Sequence, residues 1–141
     1  MTDRINMTHG GGGRAMADLI RDVFQKHLAN PILDRGDDAG LFAVQNGRMV
    51  MSTDGHVIAP LFFPGGDIGA LSVHGTVNDL AMMGARPLYL TAGFILEEGF
   101  PLADLDRIVQ SMAQAANAAG VQVISGDTKV VERGKGPSIV G

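Results

Sequence analysis

The chain has 141 residues. At that length one domain buries roughly 70% of the surface its unfolded chain would expose, so a real core is available. A hydrophobic share of 45% against 18% charged residues excludes a disordered chain. A formal net charge of −4, few aromatics and no Trp exclude a basic, base-stacking surface for nucleic acid. No Cys is present, which removes disulfides, thiolate zinc sites and cysteine nucleophiles from these residues. The N-terminus lacks the apolar stretch of a signal peptide and no apolar run reaches membrane-span length, so a cytoplasmic protein is expected.

His9 is followed by Gly10, Gly11, Gly12 and Gly13, a run whose backbone entropy opposes regular structure. Residues 1–13 are therefore expected to be a flexible glycine-rich segment, and residues 14–141 the domain proper. Arg14 to Leu28 carries Met16, Leu19, Ile20, Val23, Phe24 and Leu28 at helical spacing, and Asn30-Pro31 ends that helix. Leu41–Gln45 and Arg48–Thr53 read as two strands around Asn46-Gly47, a strong hairpin signal. Pro64-Gly65-Gly66 marks a turn, and Asp67 is placed to cap a helix over Ile68–Met83 that buries Ile68, Leu71, Val77, Leu80 and Ala81 and stops at Gly84. Pro87–Leu96 reads as a central strand. Pro101 opens a helix with a stripe of Leu102, Leu105, Ile108, Val109, Met112 and Ala116, and Gly120 closes it. Val121–Ser125 is a short strand running into a turn over Gly126-Asp127-Thr128-Lys129, and Ser138-Ile139-Val140 begins another. Alternating strands and helices with a hairpin imply an α/β (α+β) fold: a mixed β-sheet with helices packed on one face.

Acidic residues recur where one element gives way to the next: Asp37 and Asp38, Asp54, Asp79 and Asp127. Gathered together they would repel, by about 4 kcal/mol per pair at ~4 Å and an effective dielectric near 20. A divalent cation removes that cost. With oxygen ligands only, magnesium is the candidate, and it takes phosphate oxygens and water as further ligands. An acidic chain can thus hold ATP through the metal. The N–H groups of Gly10 to Gly13 offer an anion nest, and Lys129 is placed to neutralise a terminal phosphate or polarise a reacting oxygen. His9, His27, His56 and His74 share no metal-ligand spacing.

The segments Gly36–Ala39, Ser52–Asp54, Asn78–Ala85 and Gly126–Thr128 resemble the AIR-synthetase-like superfamily, named for aminoimidazole ribonucleotide synthetase. Within it, His9–Arg14, Pro60–Gly69, Gly75–Ala81, Phe94–Pro101 and Gly126–Gly134 are most similar to the hydrogenase-maturation family HypE, and the similarity runs along nearly the whole chain. The resemblance implies an N-terminal domain that dimerises through its sheet and binds ATP near the interface. It implies magnesium ligands at Asp37 or Asp38, Asp54, Asp79 and Asp127, nucleotide contacts from Asn78 and Thr128, and a glycine loop over the phosphates. Lys129 would assist the chemistry. That chemistry is a carbamoyl dehydratase reaction, in which ATP activates the oxygen of a C-terminal cysteine thiocarboxamide and loss of phosphate leaves a thiocyanate. The cyanide is destined for the [NiFe]-hydrogenase iron, with HypF and the HypC–HypD complex as partners. Family members continue into a second domain and a cysteine-ended tail, so these residues are expected to supply binding and not the whole reaction. The alternatives are another kinase or synthetase of the superfamily, or a non-catalytic dimerisation and docking module.

Overall fold

The computed structural model of the chain describes residues 3–44, 46–135 and, for the backbone, 139–140. Met1 and Thr2 of the predicted flexible segment, Gln45 of the first predicted strand and Ser138 of the last lie outside the described residues.

Two short strands, β1 (Phe62–Phe63) and β2 (Gly66–Asp67), pair antiparallel, and a separate three-stranded mixed sheet organises the fold. Its centre is β3 (Tyr89–Glu97), paired in parallel with β4 (Gln122–Val131) and antiparallel with β5 (Ile139–Val140). Ala92, Phe94 and Leu96 of β3 are buried while Thr91 and Ile95 are exposed, the alternation of a sheet covered on one face. Helices α3 (Ile68–Met82) and α4 (Leu102–Ala119) supply the covering layer.

Local signals explain these two helices. The Asp67 side chain accepts from the Ala70 N–H at 3.1 Å and caps α3 as expected. Helix α4 buries Leu105, Ile108, Val109, Met112 and Ala116, and ends on Gly120 in the left-handed conformation. The buried face of α3 differs from the predicted one. It presents Ile68, Ser72, Val73 and Leu80 to the core, whereas Ala81 is exposed and Leu71 and Val77 are only half-buried. The cause is Gly69, where α3 crosses α4: a Cβ there would stand 2.2 Å from the Ile108 carbonyl oxygen. Close approach at Gly69 turns its side of the helix inward, and Ser72 is tolerated because its hydroxyl donates to the Gly69 carbonyl at 2.9 Å.

The first predicted helix forms, but in three pieces. Gly13–Leu19 (α1) is α-helical, Ile20–Gln25 widens into a π-helix, and Lys26–Leu28 (α2) returns to α. Leu19, Val23, Phe24 and Leu28 are buried, with the Phe24 and Phe94 ring centroids 4.9 Å apart. Met16 and Ile20 stand at the margin of that stripe, and Ile20 is exposed.

Three expectations require correction. The segment before the helix is docked over Asp3–Gly10 and not free. The Ile5 N–H donates to the Phe100 carbonyl and its own carbonyl accepts from Gly99, both at 2.8 Å, and its side chain is fully buried. Met7–Gly10 is a 3-10 turn closed by reciprocal bonds between Asn6 and His9. The predicted hairpin is absent: among the described residues no strand forms over Leu41–Val44 or Arg48–Thr53. Those residues lack a ladder partner, and Leu41, Val44, Met49, Val50 and Met51 face solvent. Finally, Gly126–Lys129 is not a turn but the middle of β4, because Gly126 pairs with Ala92 and lets the strands continue in register.

Candidate functional site

A cleft of about 740 Å³ opens beside β4, between the first helix and the segment that follows it. That volume is in the range of small-molecule sites. One wall is apolar, with Met16, Ile20 and Leu33. Gly36, Asp37, Asp38, Asp127 and Thr128 also line the cleft. The structure therefore brings together two of the acidic segments, although they are far apart in the chain.

Asn30 makes this possible. It is buried, and its amide donates to the Leu28 carbonyl at 3.0 Å and to the Val123 carbonyl of β4 at 2.8 Å. Its oxygen accepts from the N–H groups of Ile32 and Leu33 at 3.1 and 3.0 Å. A single side chain thus shapes the 3-10 turn Leu33–Arg35 and ties it to the sheet. Gly36 follows in the left-handed conformation and turns Asp37 and Asp38 toward the cleft. The Arg35 guanidinium holds Asp37 at 2.8 Å.

On β4, Asp127 and Lys129 are two residues apart and share the exposed face of the strand. Asp127 lies opposite Gly93, where no side chain crowds it. The Lys129 ammonium reaches the two Asp127 oxygens at 3.0 and 2.8 Å. This bond holds the Asp127 carboxyl below the usual carboxylate range; slight desolvation works against the shift, and the Thr128 N–H bond adds to it. Thr128 is buried and also lines the cleft.

The remaining predicted ligands are Asp79 on α3 and Asp54 on the segment beside it. Ser52 donates to Asp79 at 3.2 Å, and the His56 imidazole stands 3.4 Å from Asp54. Residues 52–56 therefore lie along α3, with Asn78 exposed beside Asp79. Among the described residues no three His, Cys, Asp or Glu side chains come close enough to hold a metal ion by themselves. Gly11, Gly12 and Gly13 are exposed above the first helix, Gly12 and Gly13 with φ of +80° and +74°. Gly10 packs on Val130, two residues beyond Thr128, and none of the four glycines lines the cleft. Sequence reasoning missed Asn30, read only as a helix end, and His56, whose role depends on how its segment lies on α3.

The profile of the family described as AIR synthase related protein, N-terminal domain, matches residues 36–141. The chain belongs to this family. It is 64% identical over 135 residues to the carbamoyl dehydratase HypE of Azotobacter vinelandii, covering 96% of this chain and 40% of that protein. Its fold matches the hydrogenase maturation protein HypE solved in complex with ATP, with a TM-score of 0.92, 52% identity, and coverage of 95% of this chain and 40% of that one. A HypE solved as a HypE–HypF complex matches with a TM-score of 0.65 at 51% identity, covering 86% of this chain and 39% of that one. The chain spans about 40% of the length of the relatives it matches. Among the described residues no helix is long and apolar enough to cross a membrane.

Proposed function

We propose that this chain is the ATP- and magnesium-binding, dimer-forming domain of a HypE-type hydrogenase-maturation protein. In the whole protein, a C-terminal cysteine thiocarboxamide and ATP become a thiocyanate, ADP and phosphate, the oxygen lost from the carboxamide leaving on the phosphate. The observation that carries the reading is the cleft. It sets Asp37, Asp38 and Asp127 around a nucleotide-sized space, with Lys129 paired to Asp127, in a fold that matches an ATP-bound HypE closely.

The donor set suits magnesium. It is all oxygen, and its carboxylates stand in two small groups rather than one closed cage. Magnesium is held in this way, by one or two carboxylates together with phosphates and water. Asp37 or Asp38 with Asp127, at the cleft, and Asp79 with Asp54, on α3 and the segment beside it, would each supply such a pair. When bound, the metal neutralises phosphate charge. Lys129, now paired with Asp127, would exchange that partner for a phosphate oxygen and steady the transferring group. Asn78 and Thr128 would contact the nucleotide, and the glycine run, exposed at Gly11 to Gly13, would close over the phosphates.

Calorimetric titration with ATP tests this reading. Binding should require magnesium, and Asp79→Asn should weaken it by at least about tenfold, close to 1.4 kcal/mol. Equal affinity without metal would refute the carboxylate argument.

Self-association is supported by the extended run from Leu41 to Val57. Leu41, Val44, Met49 and Met51 are more than 60% exposed there, with no partner strand among the described residues. A second copy supplying that partner would bury them. Sedimentation velocity should give a dimer, and Met51→Asp combined with Val44→Lys should shift it to monomer. HypF is proposed as a partner of the whole protein on the strength of the HypE–HypF complex, and HypC–HypD on family resemblance. These partners imply a cytoplasmic setting.

A further inference from the structure

We infer that His56 is a positioning residue that holds Asp54 in place on α3, and so serves the nucleotide–magnesium site without touching the nucleotide. The inference rests on the reading of Asp54 as a ligand.

Three observations support it. The His56 side chain is only 11% exposed, although it stands in a segment that is otherwise exposed around it, Thr53 to Gly55 and Val57. Its Nε2 lies 3.4 Å from Asp54 Oδ2, so one edge of the ring faces the carboxylate. Its Nδ1 is a buried side-chain polar atom with no hydrogen-bond partner among the described residues. An orphaned buried nitrogen lowers the stability of a fold, and an apolar ring of the same size would not carry that penalty. Packing alone would therefore favour Phe at this position. What the imidazole has and Phe lacks is the nitrogen aimed at Asp54.

The seat for the ring is built into α3. Gly75 is a helical residue, and a Cβ on it would stand 2.5 Å from His56 Nε2. Glycine in a helix interior is normally a weakness, and alanine the better choice. Here its missing side chain is the space the ring nitrogen occupies. Ser52 on Asp79 lies one helical turn along from Gly75. The segment from Ser52 to His56 is thus pinned to α3 at both ends, with Asp54 between the pins. A carboxylate fixed on an otherwise exposed loop is ready to accept a cation with little further loss of freedom, and groups that orient a ligand from behind have large effects on metal affinity.

The test uses His56→Phe and Gly75→Ala, with His56→Gln as the conservative variant and Asp54→Asn as the reference. Each is titrated with ATP at graded magnesium and melted without ligand. His56→Phe and Gly75→Ala should melt no lower than wild type yet lose roughly tenfold or more in magnesium-dependent ATP affinity. His56→Gln, which keeps a polar nitrogen able to face Asp54, should recover part of the loss. Wild-type magnesium dependence in both His56→Phe and Gly75→Ala, with Asp54→Asn impaired, would overturn the positioning role and leave the ligand role of Asp54 standing. Wild-type behaviour of Asp54→Asn itself would overturn both. If His56→Phe fails to fold, Gly75→Ala still decides, since its substitution favours the helix and disturbs only the ring.

Discussion

Asn30→Ala is expected to lower the stability of the domain by about 2–4 kcal/mol, and the thermal midpoint by roughly 10 °C. The Asn30 side chain makes four hydrogen bonds, two donated to carbonyls and two accepted from N–H groups. Each is worth about 0.5–1.5 kcal/mol net, and the loss is greater where the partner stays buried without a replacement. The Val123 carbonyl is such a partner, because it lies on the buried stretch of β4. Asn30→Asp should be no better. It keeps the two accepted bonds but sets a carboxylate against the carbonyls of Leu28 and Val123. The functional consequence follows from geometry: without this tie, the turn bearing Asp37 and Asp38 is no longer referred to the strand bearing Asp127. Urea titration gives the stability change. ATP titration at a temperature where the variant is still folded should then show weaker magnesium-dependent binding, even though Asn30 lines no part of the cleft.

What could be read from the residues divides along the range of the forces involved. Helix α4 was legible because its stripe, its opening proline and its closing glycine all lie within its own span. The cap of α3 was legible for the same reason, since Asp67 and Ala70 are three residues apart. The strand β3 was legible from composition. The stretch Leu41–Thr53 carries an equally good local signal, yet local propensity does not make a strand. A ladder partner does, and among the described residues there is none. The course of β4 through Gly126 was hidden because it depends on Ala92, across the sheet. The same division holds for the site. The acidic residues stood out as candidate ligands from their recurrence at element ends. Their partition into Asp37, Asp38 and Asp127 on the cleft, and Asp79 on α3 with Asp54 beside it, depends on two tertiary devices. One is the Asn30 tie, and the other is the lie of residues 52–56 along α3. Neither has a signature at short range.

Gly69→Val is expected to be the most damaging single change on α3, costing about 3 kcal/mol or more. At this position the helix backbone of α3 approaches that of α4, and an added Cβ would meet the Ile108 carbonyl oxygen at 2.2 Å. The obstacle is main chain within a helix, so it has no rotamer by which to yield. The two helices must separate or slide, and the core residues between them, Ile68, Val73, Leu105, Ile108 and Met112, must follow. Gly69→Ala isolates the steric cause. Helix propensity alone would make it stabilising by about 1 kcal/mol. The contact should reverse that sign, to a loss of about 1–3 kcal/mol. A raised midpoint for Gly69→Ala would show that α3 can shift freely against α4. The point bears on function because α3 carries Asn78 and Asp79 and seats residues 52–56. A helix displaced at Gly69 carries Asp79 and the seat of residues 52–56 with it. Magnesium-dependent ATP binding by Gly69→Ala should therefore fall by more than its unfolded fraction explains, measured where the variant is almost wholly folded.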